Sequence, residues 1–215
     1  VIQRRTALGG PGRLASIGVA LATALVLAGA AAQLADYGFG LHAAALDSNT
    51  DGGVFGLLGN VALASAVLAA VLLARIRPRS ELTVALSVLL LFLAVDKALR
   101  LHDHVPGWPA YYLPVLFSTV ALLLHVGQRL PKPGPELMAA AVLLLGGALI
   151  LHFTGEAALR VIGAGREGWA DQVKGVVKHG AEVEGWLLVA LALALPAARR
   201  AAGGGFFRRQ PHPSA

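Results

Sequence analysis

Asp96, Glu156 and Glu182 lie in stretches of the chain that are otherwise apolar, and histidines accompany two of them at helical spacing. His152 precedes Glu156 by four residues and His179 precedes Glu182 by three, so each pair projects from one helix face. Imidazole and carboxylate in this arrangement can hold a single transition metal such as zinc, iron, copper or manganese. The candidate ligands are His152, His179, Glu182, Asp96 and His102. If such a metal activated water, Glu156 or Glu184 could serve as general base. An axial imidazole at this depth could equally ligate a haem or a chlorin. A structural reading stands beside these. Asp96 with Arg100, Glu156 with Arg160, and Lys178 with Glu182 are each four residues apart, the spacing of intrahelical ion pairs. Buried pairs can tie helices together without a ligand, provided further hydrogen bonds satisfy them.

The elements that must position these residues follow from composition. Of 215 residues, 56% are hydrophobic and only 14% charged, too apolar to present a wetted surface. Apolar runs at 14–34, 53–74, 82–100, 110–128, 137–155 and 173–198 are each near the ~20 residues that cross a ~30 Å hydrocarbon core. The expected fold is all-α, an integral membrane bundle of about six transmembrane helices. Residues 1–200 form one transmembrane domain, because the longest connection, 35–52, is too short for a soluble module. Residues 201–215 are expected to be a basic cytoplasmic tail.

The net charge of +6 does not point to nucleic acid, because the cations are distributed by topology. Arg4, Arg5 and Arg13 precede the first span. Arg75, Arg77 and Arg79 follow the second, Arg129 and Lys132 the fourth, and Arg199, Arg200, Arg208 and Arg209 the sixth. The positive-inside rule then puts both termini in the cytoplasm, with lipid as the first partner of the chain. The bacterial inner membrane is the expected location. Asp36, Asp47, Asp51, Asp103, Glu167 and Asp171 fall on the outer side, with Trp108, Tyr111, Tyr112 and Trp169 as an aromatic belt. A cleaved signal peptide is the alternative for the first apolar run, given Arg4 and Arg5 before it and small residues at its end. The unbroken stretch from Leu14 to Ala32 favours a retained helix.

The chain has no cysteine, which excludes disulfides, thiolate metal sites, c-type haem and a cysteine nucleophile. It carries no phosphate-cradling glycine loop, no Gly-x-Ser-x-Gly elbow and no His-Glu-x-x-His. Gly52, Gly56, Gly59, Gly146 and Gly147, with Ala62, Ala66 and Ala70, are expected to let helices approach closely.

Depth links the polar residues. Counted from the cytoplasmic ends at ~1.5 Å per residue, Asp96, Glu184 and Asn60 lie ~21 Å up, His152 and Glu182 ~24 Å, and His179 ~28 Å. Glu156 sits one turn above His152. These positions outline a polar layer in the outer half of the membrane, beneath the loop His102-Asp103-His104, and His125 is out of its reach.

Two segments carry a resemblance. The stretch from Phe92 to Asp103, with Asp96, His102 and Asp103, is similar to a Phe-Leu-x-x-Asp-Glu-x-x-x-x-His-Glu pattern of uncharacterised bacterial multi-spanning membrane proteins. Lys178 to Trp186, with Glu182 and Gly185, resembles the late Glu-Glu-x-x-Glu-x-x-Gly segment of the same group. Lys97, Lys178 and His179 stand where that pattern has acids, a departure that favours ion pairing over a shared metal site. The group implies no activity.

Three functions are compatible with these residues. The first is an accessory or structural subunit of a larger membrane complex, respiratory or photosynthetic, with other membrane subunits as partners. The second is a metal-binding membrane oxidoreductase or hydrolase using the polar layer. The third is a small proton-coupled transporter, for which no inverted repeat or broken helix pair is evident.

Overall fold

A computed structural model describes residues 11–41, 43–46, 53–77, 80–163 and 168–202. Arg4, Arg5, Asp47, Asp51, Gly52, Arg79, Glu167 and the tail from 203 onward lie outside the described residues, as does the side chain of Asp103. The described chain contains six α-helices: α1 (Pro11–Phe39), α2 (Val54–Ile76), α3 (Glu81–Leu99), α4 (Trp108–Gln128), α5 (Gly134–Val161) and α6 (Trp169–Ala202). A single 3-10 turn, Leu101–His104, joins α3 to α4, and there is no strand among the described residues. Each helix is long and apolar enough to cross a membrane. In hydrocarbon every backbone amide must find its acceptor within the protein, and apolar runs of this length therefore resolve as helices.

Several helices outrun the apolar segments that announce them. The fifth continues to Val161, beyond the apolar limit at 155, and the first continues to Phe39 rather than 34. Polar and aromatic residues at these ends keep the intrahelical ladder while meeting the interface. Glu156 and Arg160 consequently occupy the last turns of α5, where both are exposed.

The sixth helix is the axis of the bundle. It packs along α5, α2 and α1, while α3 lies against α2, and α4 bridges α3 to α5. Small residues make these crossings close. Ala62, Ala66 and Ala70 of α2 are fully buried. A Cβ at Gly185 of α6 would lie 2.7 Å from Leu145 Cγ and 3.3 Å from the Ala141 carbonyl of α5. Gly18 and Gly180 likewise admit Leu191 and Val26 where α1 meets α6. Gly146 and Gly147 of α5 have no such use, because a Cβ at either would meet nothing within 4 Å.

The helices alternate in direction, so charge sorts to the two ends of the bundle. One end holds Arg75, Arg77, Arg129, Lys132, Arg199 and Arg200; the other holds Asp36, Trp108, Tyr111, Tyr112, Trp169 and Asp171.

Candidate functional site

At the acidic end, α3 stops where Arg100 adopts a left-handed conformation (φ 53°) as its C-cap. The reversal turns the following 3-10 segment back over the helix end. The His102 amide then donates to Asp96 Oδ1 at 2.9 Å, and His102 Nδ1 meets Oδ2 at 2.8 Å. Tyr112 of α4 donates its hydroxyl to the same Oδ2 at 2.6 Å. An ionised carboxylate only accepts, so Nδ1 is the protonated nitrogen of His102 in this arrangement. Asp96 is only 2% exposed, and these three hydrogen bonds compensate its removal from water. Aromatic rings close over it: His102 lies 5.2 Å from Trp108 and 5.6 Å from Tyr112, centroid to centroid. Trp108 continues the cluster to His152 and Phe153 of α5, each at 6.0 Å.

One residue on, Lys97 leaves α3 on the face toward α2 and α6. Its ammonium pairs with Glu182 of α6, with the two side chains 27% and 21% exposed. Gly59 of α2 makes room for it, since a Cβ there would lie 3.2 Å from Lys97 Cε and 3.3 Å from Nζ. His179, one turn before Glu182, brings Nδ1 to 3.6 Å from the other carboxylate oxygen. Glu182 thus joins α3 and α6 while also meeting a histidine of its own helix. His152 on α5 meets the Asp96-centred group through the Trp108 ring, 6.0 Å away.

The layer extends to α1. Thr23 donates to Glu184 Oε1 at 2.6 Å, and Gln33 donates to Gln172 at 2.8 Å. Asp36, at the end of α1, accepts the Ala43 amide with both oxygens at 3.0 and 3.2 Å. On α6, Lys174 meets Asp171 at 2.5 Å, and its stem crosses Gly155 of α5.

The candidate ligands are therefore brought together as two pairs, Asp96 with His102 and His179 with Glu182, with His152 alongside. Among the described residues, no three His, Asp or Glu side chains converge as a metal-holding group. Arg160 Nε approaches the Glu156 backbone carbonyl at 3.4 Å. Arg100 and Lys178, the cations assigned by spacing to Asp96 and Glu182, are exposed and half-buried respectively. Asn60 is half-buried, and His125 is exposed toward the opposite end of α4.

Sequence reasoning missed the donors. Position along the chain reads Tyr112 as part of an aromatic belt and Lys97 as a departure from an acidic pattern; in the structure both hold carboxylates. A cation within an apolar run was the available signal for Lys97. Gln33, buried in α1, carried a similar signal as an amide in a run of alanines and leucines.

Six apolar helices closed around an internally bonded polar layer define a polytopic helical membrane protein. The chain belongs to the family described as a domain of unknown function, DUF8692, whose model matches residues 17–196. No curated protein and no solved structure matches it.

Proposed function

We propose that the protein is an accessory subunit of a larger membrane complex, held N-in and C-in in the bacterial cytoplasmic membrane. The observation that carries this reading is the outward face of α5. Leu143 and Ile150, 77% and 62% exposed, flank Gly146 and Gly147 on that face, at i, i+3/i+4 and i+7 spacing. Glycine is about 1 kcal/mol less favourable than alanine within a helix. Two in succession, with nothing within 4 Å of where their side chains would be, serve no close contact among the described residues. A notch between large apolar side chains suits close approach of a helix from another subunit. The carboxylates support the same reading: Asp96, Glu182 and Glu184 are each satisfied by side chains of neighbouring helices or of the adjoining turn.

Native mass spectrometry of the gently solubilised protein tests this. The wild-type chain is expected in a complex with another membrane protein. The Gly146→Leu/Gly147→Leu variant should be released as a folded monomer with thermal stability no lower than that of the wild-type monomer. A wild-type chain recovered only as a stable monomer contradicts the reading.

A metal-binding enzyme is the second reading, favoured by one feature. Asp96 fixes the tautomer and orientation of His102 in the manner of a carboxylate behind a metal-ligating imidazole. Metal analysis of the purified protein and its His102→Ala and His179→Ala variants decides it, and equal content in all three removes both histidines from any such site.

A further inference from the structure

The opposite end of the bundle carries a second constellation, unrelated to the polar layer and independent of the subunit reading. Two guanidinium groups from different helices dock on one short turn. Arg77, the C-cap of α2, donates to the Arg129 carbonyl at 3.5 Å. Arg199, near the end of α6, donates to the Lys132 carbonyl. Residues 129–132 lie in the turn 129–133 between α4 and α5, and the side chains of Arg129 and Lys132 are themselves exposed. Four cations from three parts of the chain are thereby gathered around four residues. Arg75 and Arg200 stand exposed on the same last turns of α2 and α6.

Little acid opposes them. Among the described residues, the ion pair at this end is Lys132 with Glu136, 3.7 Å apart with side chains 88% and 55% exposed. Such an exposed pair contributes little and leaves the other cations uncompensated. Glu81, at the start of α3, is the other acid on this side. Arg199 Nε is enclosed without an acceptor. Arginines used only to cap helix carbonyls would not require Arg129 and Lys132 to be presented outward beside them. The positive end of the α5 dipole opens from the same turn, at Gly134.

We propose that this turn, with Arg77, Arg129, Lys132 and Arg199, is a binding site for the phosphate headgroup of an anionic phospholipid in the adjoining leaflet. Basic clusters between transmembrane helices at the membrane surface bind acidic headgroups by this chemistry. The acyl chains would lie along the apolar exterior of the bundle, which a soluble anion cannot use.

The purified full chain, in detergent with phosphatidylglycerol or phosphatidylcholine added, gives the test by native mass spectrometry and by lipid titration. Phosphatidylglycerol should be retained and phosphatidylcholine lost. In the Arg129→Gln/Lys132→Gln variant, affinity for phosphatidylglycerol should fall about 30-fold, roughly fivefold for each cation removed. Both side chains are exposed and both backbone carbonyls survive, so the docking of Arg77 and Arg199 is preserved. Arg160→Gln, at the far end, should leave the affinity unchanged. Equal retention of the two lipids overturns the proposal, as does an affinity within twofold of wild type in the double variant. An equal loss in Arg160→Gln, or complete displacement of lipid by millimolar inorganic phosphate, also overturns it, the first as a bulk charge effect and the second as a site for free anion.

Discussion

The carboxylate of Asp96 serves three donors, so its removal strands more than its own charge. Asp96→Ala leaves the Tyr112 hydroxyl and two N–H groups of His102 without their acceptor in a buried position. The expected loss is about 2–4 kcal/mol, against about 1 kcal/mol for Tyr112→Phe, which removes one donor and leaves the acid bonded to His102. Reversible unfolding in mixed detergent measures both. Lys97 and Glu182 behave differently because each neutralises the other across two helices. Lys97→Met or Glu182→Gln alone should destabilise by about 2–3 kcal/mol, whereas the double variant should recover at least half of that loss. If the double variant shows the sum of the single losses, the two residues are not coupled and the clasp between α3 and α6 is not electrostatic.

Glycines of opposite kinds separate the inner and outer faces of the helices. Gly185→Ala places a methyl 2.7 Å from Leu145 Cγ and against the Ala141 carbonyl, and should cost about 1–3 kcal/mol by forcing α5 from α6. Gly146→Ala enters open space and should be neutral or stabilising by up to about 1 kcal/mol in the isolated chain, as melting in detergent would record. Both residues read alike in the sequence, as small positions in apolar runs. What distinguishes them is the side of the helix that faces the axis of the bundle, and the stretch around Gly146, apolar on every side, leaves no periodicity to reveal it. The helices themselves were legible, because hydrocarbon permits few other structures to a run of ~20 apolar residues. Relative height along the bundle was legible in part: a constant rise per residue sets Asp96 and Glu182 about 3 Å apart in height, and the structure brings Glu182 against Lys97, the neighbour of Asp96. The partners across helices and at the turn were not. Spacing i,i+4 presumes a continuous helix, but α3 ends at Leu99, and the left-handed Arg100 delivers His102 to Asp96. Tyr112 and Lys97 act across helices, at sequence separations of 16 and 85, for which a local pattern holds no information.

At the scale of the whole molecule, the two ends differ in the chemistry they present to a membrane. The end with Arg75, Arg77, Arg129, Lys132, Arg199 and Arg200 is cationic, and its guanidinium groups grip the α4–α5 turn. The other end is built of Trp108, Tyr112, Trp169 and Tyr37, with the last two in edge contact at 4.8 Å, over carboxylates that are already bonded. Cations resist translocation, whereas an aromatic rim is indifferent to side, so the cationic end should face the cytoplasm. The absence of cysteine makes this directly measurable. Single cysteines at Lys132 and Tyr111, both exposed and at opposite ends of the bundle, can be introduced without competing thiols. In intact cells a membrane-impermeant maleimide should label Tyr111→Cys and spare Lys132→Cys until the membrane is opened. The reverse pattern would place the proposed lipid site in the outer leaflet and invert both termini. Replacing Arg75, Arg129, Arg199 and Arg200 together with glutamine should make labelling of the two cysteine sites mixed, because those four residues are a large part of the charge difference between the ends. Strictly one-sided labelling in that background would show that the orientation is fixed elsewhere in the chain.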